Sequence, residues 1–131
     1  MSTQRSVPRL AAITPEAVRR GVLASRINVV ADLGIDREQV LRMIGAPSTL
    51  RRRITERARL TRDESDRLAR MWRIVGRAIE VFGSVEKAVR WLQRPVRTQP
   101  DGTTPFAMLD TDPGAEWVDE RLTQIEHGLF A

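Results

Sequence analysis

DESDRLARMWRIVGRAIEVFGSVEKAVRWL, residues 63–92, reads as a long amphipathic helix, a break at Phe82-Gly83-Ser84 and a second, shorter helix. Leu68, Met71, Trp72, Val75, Ile79 and Phe82 recur at helical spacings and so share one face. Thr61 stands three residues before Glu64, a capping box in which hydroxyl and carboxylate each take an orphan backbone N–H. Ser84 is placed to cap the second helix, whose apolar side is Val85, Ala88, Val89, Trp91 and Leu92. Trp72 and Trp91 lie in apolar stripes and are expected to be core anchors.

Working back from this pair, the chain is basic; working forward, it is acidic. Residues 1–62 carry 13 arginines against five carboxylates, net +8, and residues 63–131 carry nine basic against 12 acidic groups, net −3. From Thr98 onward Arg121 is the one basic side chain, against seven carboxylates. A basic amino-terminal half suits a polyanion, which an acidic carboxyl end would repel. At 131 residues and 41% hydrophobic content the chain can build a core of ordinary size. Without cysteine it has no disulfides, thiol nucleophile or thiolate metal site. No run approaches the roughly 18 to 20 apolar residues of a membrane span, and MSTQRSVPRL has no apolar signal core. A cytoplasmic protein with no membrane partner is expected.

Toward the amino terminus, residues 1–13 have no periodic pattern and are expected to be a flexible tail. Thr14-Pro15-Glu16 starts a helix that should run toward Leu23, with Gly21 as an interruption. A second helix is expected over 27–33, stopped by Gly34. Asp36 caps a third, with Val40, Leu41 and Ile44 facing the core and Gly45 at its end. After Ala46-Pro47 a fourth helix, capped by Ser48 or Thr49, is expected to continue through Leu50, Ile54 and Ala58. Two short helices around a tight turn, the second rich in arginine, form the pattern of a helix-turn-helix. Its second helix would enter the major groove, with Ser48, Thr49, Arg51 and Arg52 reading bases or phosphates. Arg53, Arg57 and Arg59 would hold the backbone. The turn is about one residue short for such a motif.

Toward the carboxyl terminus, two prolines and Asp101-Gly102 mark 94–102 as a loop. Thr104-Pro105 opens a short helix over 106–109, and Asp112-Pro113 a last one with Trp117, Val118, Leu122 and Ile125 inward and Gly128 at its end. No alternating run argues for a sheet, so the fold class is all-α. The single histidine, His127, sits at a helix end, where the dipole favours a cationic ring. Asp110 with Asp112, and Glu116 with Glu120, occupy helix-start or exposed positions where carboxylates are common. No catalytic residue, metal or cofactor is expected, and the protein reads as a non-enzyme. On the residues alone, Leu129, Phe130 and Ala131 either fold back or dock into a partner.

Glu64-Ser65-Asp66-Arg67-Leu68, Ala78 with Val81-Phe82-Gly83, Ala88 with Trp91-Leu92, and Pro95 make an ordered series. It continues through Gly102-Thr103-Thr104-Pro105, Leu109, Thr111, Gly114, Val118, Leu122, Ile125-Glu126 and Gly128. In this series the chain resembles the Xre/MbcA/ParS antitoxin family, and its amino-terminal half resembles the family's Xre-type helix-turn-helix. The resemblance implies a helix-turn-helix amino-terminal domain followed by a small helical toxin-binding domain: tail 1–13, DNA-binding domain 14–62 and toxin-binding domain 63–131. It implies a type II antitoxin whose partner is a RES-domain toxin that depletes NAD. Glu126, His127, Gly128, Leu129, Phe130 and Ala131 would lie at or near the toxin's active-site cleft. The helix-turn-helix, as a homodimer within a hetero-oligomeric complex, would bind operator DNA and repress its own operon. The acidic half would suit a basic, pyrophosphate-binding pocket on the toxin. Without the resemblance, a stand-alone transcriptional regulator with a carboxyl-terminal dimerisation domain stays open.

Overall fold

The computed structural model describes residues 10–99 and 101–128. The described residues fold into seven α-helices: α1 Pro15–Arg20, α2 Arg26–Ala31, α3 Arg37–Ile44, α4 Pro47–Thr55, α5 Arg62–Phe82, α6 Val85–Leu92 and α7 Asp112–Glu126. A 3-10 turn at Ala107–Asp110 precedes α7. Among the described residues the one β feature is an isolated bridge between Leu23 and Arg59, so the all-α expectation holds. No described helix is long and apolar enough to cross a membrane.

α5 is the centre. Its capping box is fully formed: the Thr61 hydroxyl accepts from the Glu64 N–H, and a Glu64 carboxylate oxygen accepts from the Thr61 N–H at 2.9 Å. The helix stops at Gly83, and the Ser84 hydroxyl then accepts from the Lys87 N–H to start α6. The buried face is wider than the stripe in the sequence, because α1, α2 and α3 pack against α5 as well as α6 and α7. Ile74 and Ala78 are therefore buried too, while Phe82 is only half-buried and packs against Trp91 with ring centroids 5.6 Å apart. One continuous core runs from Val22 to Leu122.

Four local expectations change. Leu10 to Ile13, expected to be flexible, lie against α5: Leu10 covers Gly76, and the Trp72 indole N–H donates to the Ala11 carbonyl at 2.7 Å. That bond satisfies a buried indole nitrogen, which makes the contact favourable. Residues 1–9 fall outside the described part. α1 ends at Arg20, because Gly21 turns the chain at φ 93° and a Cβ there would meet the Leu60 carbonyl oxygen at 2.6 Å. α4 starts at Pro47 with Ala46 as its cap, so Ser48 and Thr49 sit inside its first turn and cap nothing. It ends at Thr55 and never reaches Ala58: Arg57 adopts φ 57°, and the strand-like return pairs Ala24 N–H with the Ala58 carbonyl and Leu60 N–H with the Val22 carbonyl. Two long-range backbone bonds here outweigh another half-turn of helix.

Candidate DNA-binding and partner-binding faces

α3 and α4 are joined by Gly45 and Ala46 alone, a tight helix-turn-helix. Val40, Leu41, Ile44 and Leu50 are fully buried, which anchors α3 on α5 and α4 on α3 and leaves the outer side of α4 to solvent. Ser48, Arg51 and Arg52 are exposed on that side, and Thr49 is half-buried. Arg51 pairs with Glu38 of α3, whereas the Arg52 guanidinium has no ion-pair partner among the described residues. Arg53 points the other way. It pairs with Glu64, the capping-box carboxylate of α5, and both side chains are largely buried. Arg67 supports the same junction by donating to the Ile44 carbonyl, the open end of α3, at 2.9 Å. Arg53 thus locks α4 to α5 from inside. Arg57 is exposed on the reversal after α4, and Arg59 donates to the Gly21 carbonyl at 2.8 Å. Of the arginines proposed from sequence, then, Arg51, Arg52 and Arg57 share the solvent side, and Arg53 and Arg59 are tied into the fold.

The second face lies between α5 and α7. Arg70, Arg73 and Arg77 form a ladder along α5, spaced three and four residues apart. Arg70 donates to the Asp112 carboxylate at 2.8 Å and to the Leu109 and Asp110 carbonyls at 3.0 and 3.2 Å. Arg73 approaches Asp119 at 3.5 Å. Arg77 grips Glu126 with two bonds of 3.1 Å and donates to the Thr123 hydroxyl at 3.0 Å. Those two bonds hold the Glu126 carboxyl below its ordinary range, while Glu126 in turn raises the Arg77 pKa. The His127 ring Nδ1 lies 2.8 Å from the Thr123 carbonyl oxygen, a partner at the helix end where the sequence placed it. Leu129, Phe130 and Ala131 lie outside the described residues.

This ladder alters the reading of the acidic half. Asp112, Asp119 and Glu126 are neutralised inside the molecule, which leaves Glu116 and Glu120 exposed on α7. Asp110 and Asp112 both serve Arg70, and among the described residues no group of acidic or histidine side chains is arranged to hold a metal. The periodic arginines of α5 were visible in the sequence as i, i+3, i+7 spacing. Their partners, 39 to 49 residues away, were not.

The fold and these faces define a helix-turn-helix protein with an appended helical domain. Residues 15–73 match the antitoxin Xre-like helix-turn-helix domain, and residues 77–128 match the antitoxin Xre/MbcA/ParS C-terminal toxin-binding domain. An Antitoxin Xre of Yersinia enterocolitica is 35% identical over 99 residues, covering 74% of this chain and 66% of the relative. One from Pseudomonas putida is 42% identical over 94 residues, covering 72% and 56%, and one from Photorhabdus laumondii is 40% identical over 81 residues, covering 61% and 54%. The chain belongs to the Xre/MbcA/ParS antitoxin family. The matched part spans between about half and two thirds of these relatives' length.

Proposed function

We propose that the chain is the antitoxin of a type II toxin–antitoxin pair and acts as a non-enzymatic regulator. Its carboxyl-terminal domain binds and blocks a RES-domain toxin that degrades NAD. Its helix-turn-helix, as a homodimer within a hetero-oligomeric complex, binds operator DNA and represses its own operon. The observation that carries this reading is the tandem match of a helix-turn-helix domain and a toxin-binding domain, joined through the single helix α5.

On DNA, α4 enters the major groove with Ser48, Thr49 and Arg52 foremost, and Arg51 exchanges Glu38 for a phosphate or a base edge. Arg57 contacts the backbone, and Arg53 sets the angle of α4 through Glu64. In a dimer the two copies of α4 would meet successive major grooves about 34 Å apart. On the toxin, the segment Glu126 to Ala131 occupies or borders the active-site cleft, and Arg77 orients its first residues by holding Glu126.

Co-expression with the RES-domain toxin encoded beside its gene tests the reading. Growth and cellular NAD should be restored, and the two proteins should co-purify. A chain that retains operator DNA but leaves NAD falling would be a stand-alone regulator, and the antitoxin reading would fail.

A further inference from the structure

On the side of α7 turned away from the arginine ladder, Trp117 and Trp91 line a cleft of about 220 Å³ beside the loop that follows α6. Trp117 and Arg121 lie one helical turn apart, and each is about 200° around α7 from the ladder partner Asp119. The Arg121 guanidinium covers the Trp117 ring at 4.8 Å, and Trp91 is braced from behind by Phe82. Arg94 and Arg97 stand on the rim. Both are exposed, and neither guanidinium has an ion-pair partner among the described residues, in contrast to Arg70, Arg73 and Arg77.

Two uncommitted guanidiniums beside two half-buried indoles have a definite chemistry. A guanidinium binds a carboxylate bidentately, and the indoles give the pair an apolar floor that excludes water. Tryptophan and arginine are also the residues on which protein interfaces concentrate their energy. The size of the cleft limits its occupant. Small-molecule sites usually enclose roughly 300 to 1,000 Å³, so this one holds a side chain or two rather than a nucleotide. A nucleic-acid strand running past it would meet Glu116 and Glu120, which are exposed on α7 outside the arginine ladder. A short acidic peptide segment, with one or two charges inside a screening length of about 8 Å, would not.

We infer that this cleft is a second docking point for the partner protein, seating an aspartate or glutamate that is flanked by an apolar side chain. It is proposed in addition to a contact through Glu126 to Ala131, and it rests on the reading of residues 77–128 as a toxin-binding domain. The test is titration of the neighbouring gene's RES-domain toxin into the full chain and into the double variant Arg94→Glu, Arg97→Glu, at low and high salt. The variant should bind about tenfold or more weakly with a shallower salt dependence, while its thermal unfolding and operator affinity stay unchanged. Equal toxin affinity of variant and parent would overturn the inference and leave the antitoxin reading intact. Failure of the unaltered chain to bind the toxin would remove both. A variant that loses operator affinity but keeps toxin affinity would make the cleft a nucleic-acid surface, which also overturns it.

Discussion

Ser65 is the one buried polar side chain among the described residues, and its hydroxyl accepts the Val22 N–H at 2.9 Å across 43 residues of sequence. Ser65→Ala would leave that N–H buried without a partner, a cost of about 1 to 3 kcal/mol. The denaturation midpoint in urea should fall accordingly with the slope unchanged. Gly114 poses a different constraint, since a Cβ there would lie 1.9 Å from the Met108 carbonyl oxygen. Alanine would improve helix propensity by about 1 kcal/mol, but it would have to push the 3-10 turn off α7. A net loss of roughly 2 kcal/mol is expected by the same measurement. Glu126 links structure to pH. Its carboxyl is held below the ordinary value of 4.5 by the Arg77 bonds, with His127 adding a smaller effect in the same direction. The stabilisation is therefore fully present above about pH 4.5 and is lost as pH falls through the lower, folded value. Amide protection at the end of α7 should drop in that acid range, and Arg77→Ala should remove the dependence.

α4 has two sides with separate duties. Its outer side carries Arg51 and Arg52, and its inner side sends Arg53 to Glu64. Replacing Arg51 and Arg52 by alanine is expected to abolish operator retention in a gel shift while toxin binding and the melting temperature stay as they were. Arg53→Ala should act differently. It leaves Glu64 largely buried without its cation, so it should lower stability as well as operator affinity. At the scale of elements the sequence was informative about starts. Thr14, Asp36, Thr61, Ser84 and Thr111 each accept an N–H within the first turn of the helix they precede. It was less informative about the end of α4, where the decision fell to backbone pairing between residues 22–24 and 58–60.

Across the whole molecule, the two matched domains meet within α5, and a single core passes through both. The domains should consequently not melt independently. Thermal unfolding followed by the tryptophans, two of which sit in the carboxyl-terminal domain, should coincide with unfolding followed by helical circular dichroism in one transition. Charge is also arranged at this scale. Exposed arginines are spread over α1 to α4, Arg51 and Arg52 on the outer side of α4 among them, while three of the five carboxylates of α7 are consumed by α5. Operator affinity should fall steeply with added salt.

By itself the sequence determined the all-α class, the helix-turn-helix, the capping box at Thr61 and Glu64, and the divide in charge between the halves. All of these rest on composition or on interactions within three or four residues, which periodicity and cap residues write directly into the chain. The tertiary structure alone decided that Arg53 faces inward, that Arg77 holds Glu126, and that Trp91 and Trp117 come together beside Arg94 and Arg97. Those pairings join residues from 11 to 49 positions apart where they are hydrogen-bonded. They depend on how helices stack around α5, and no local spacing specifies that.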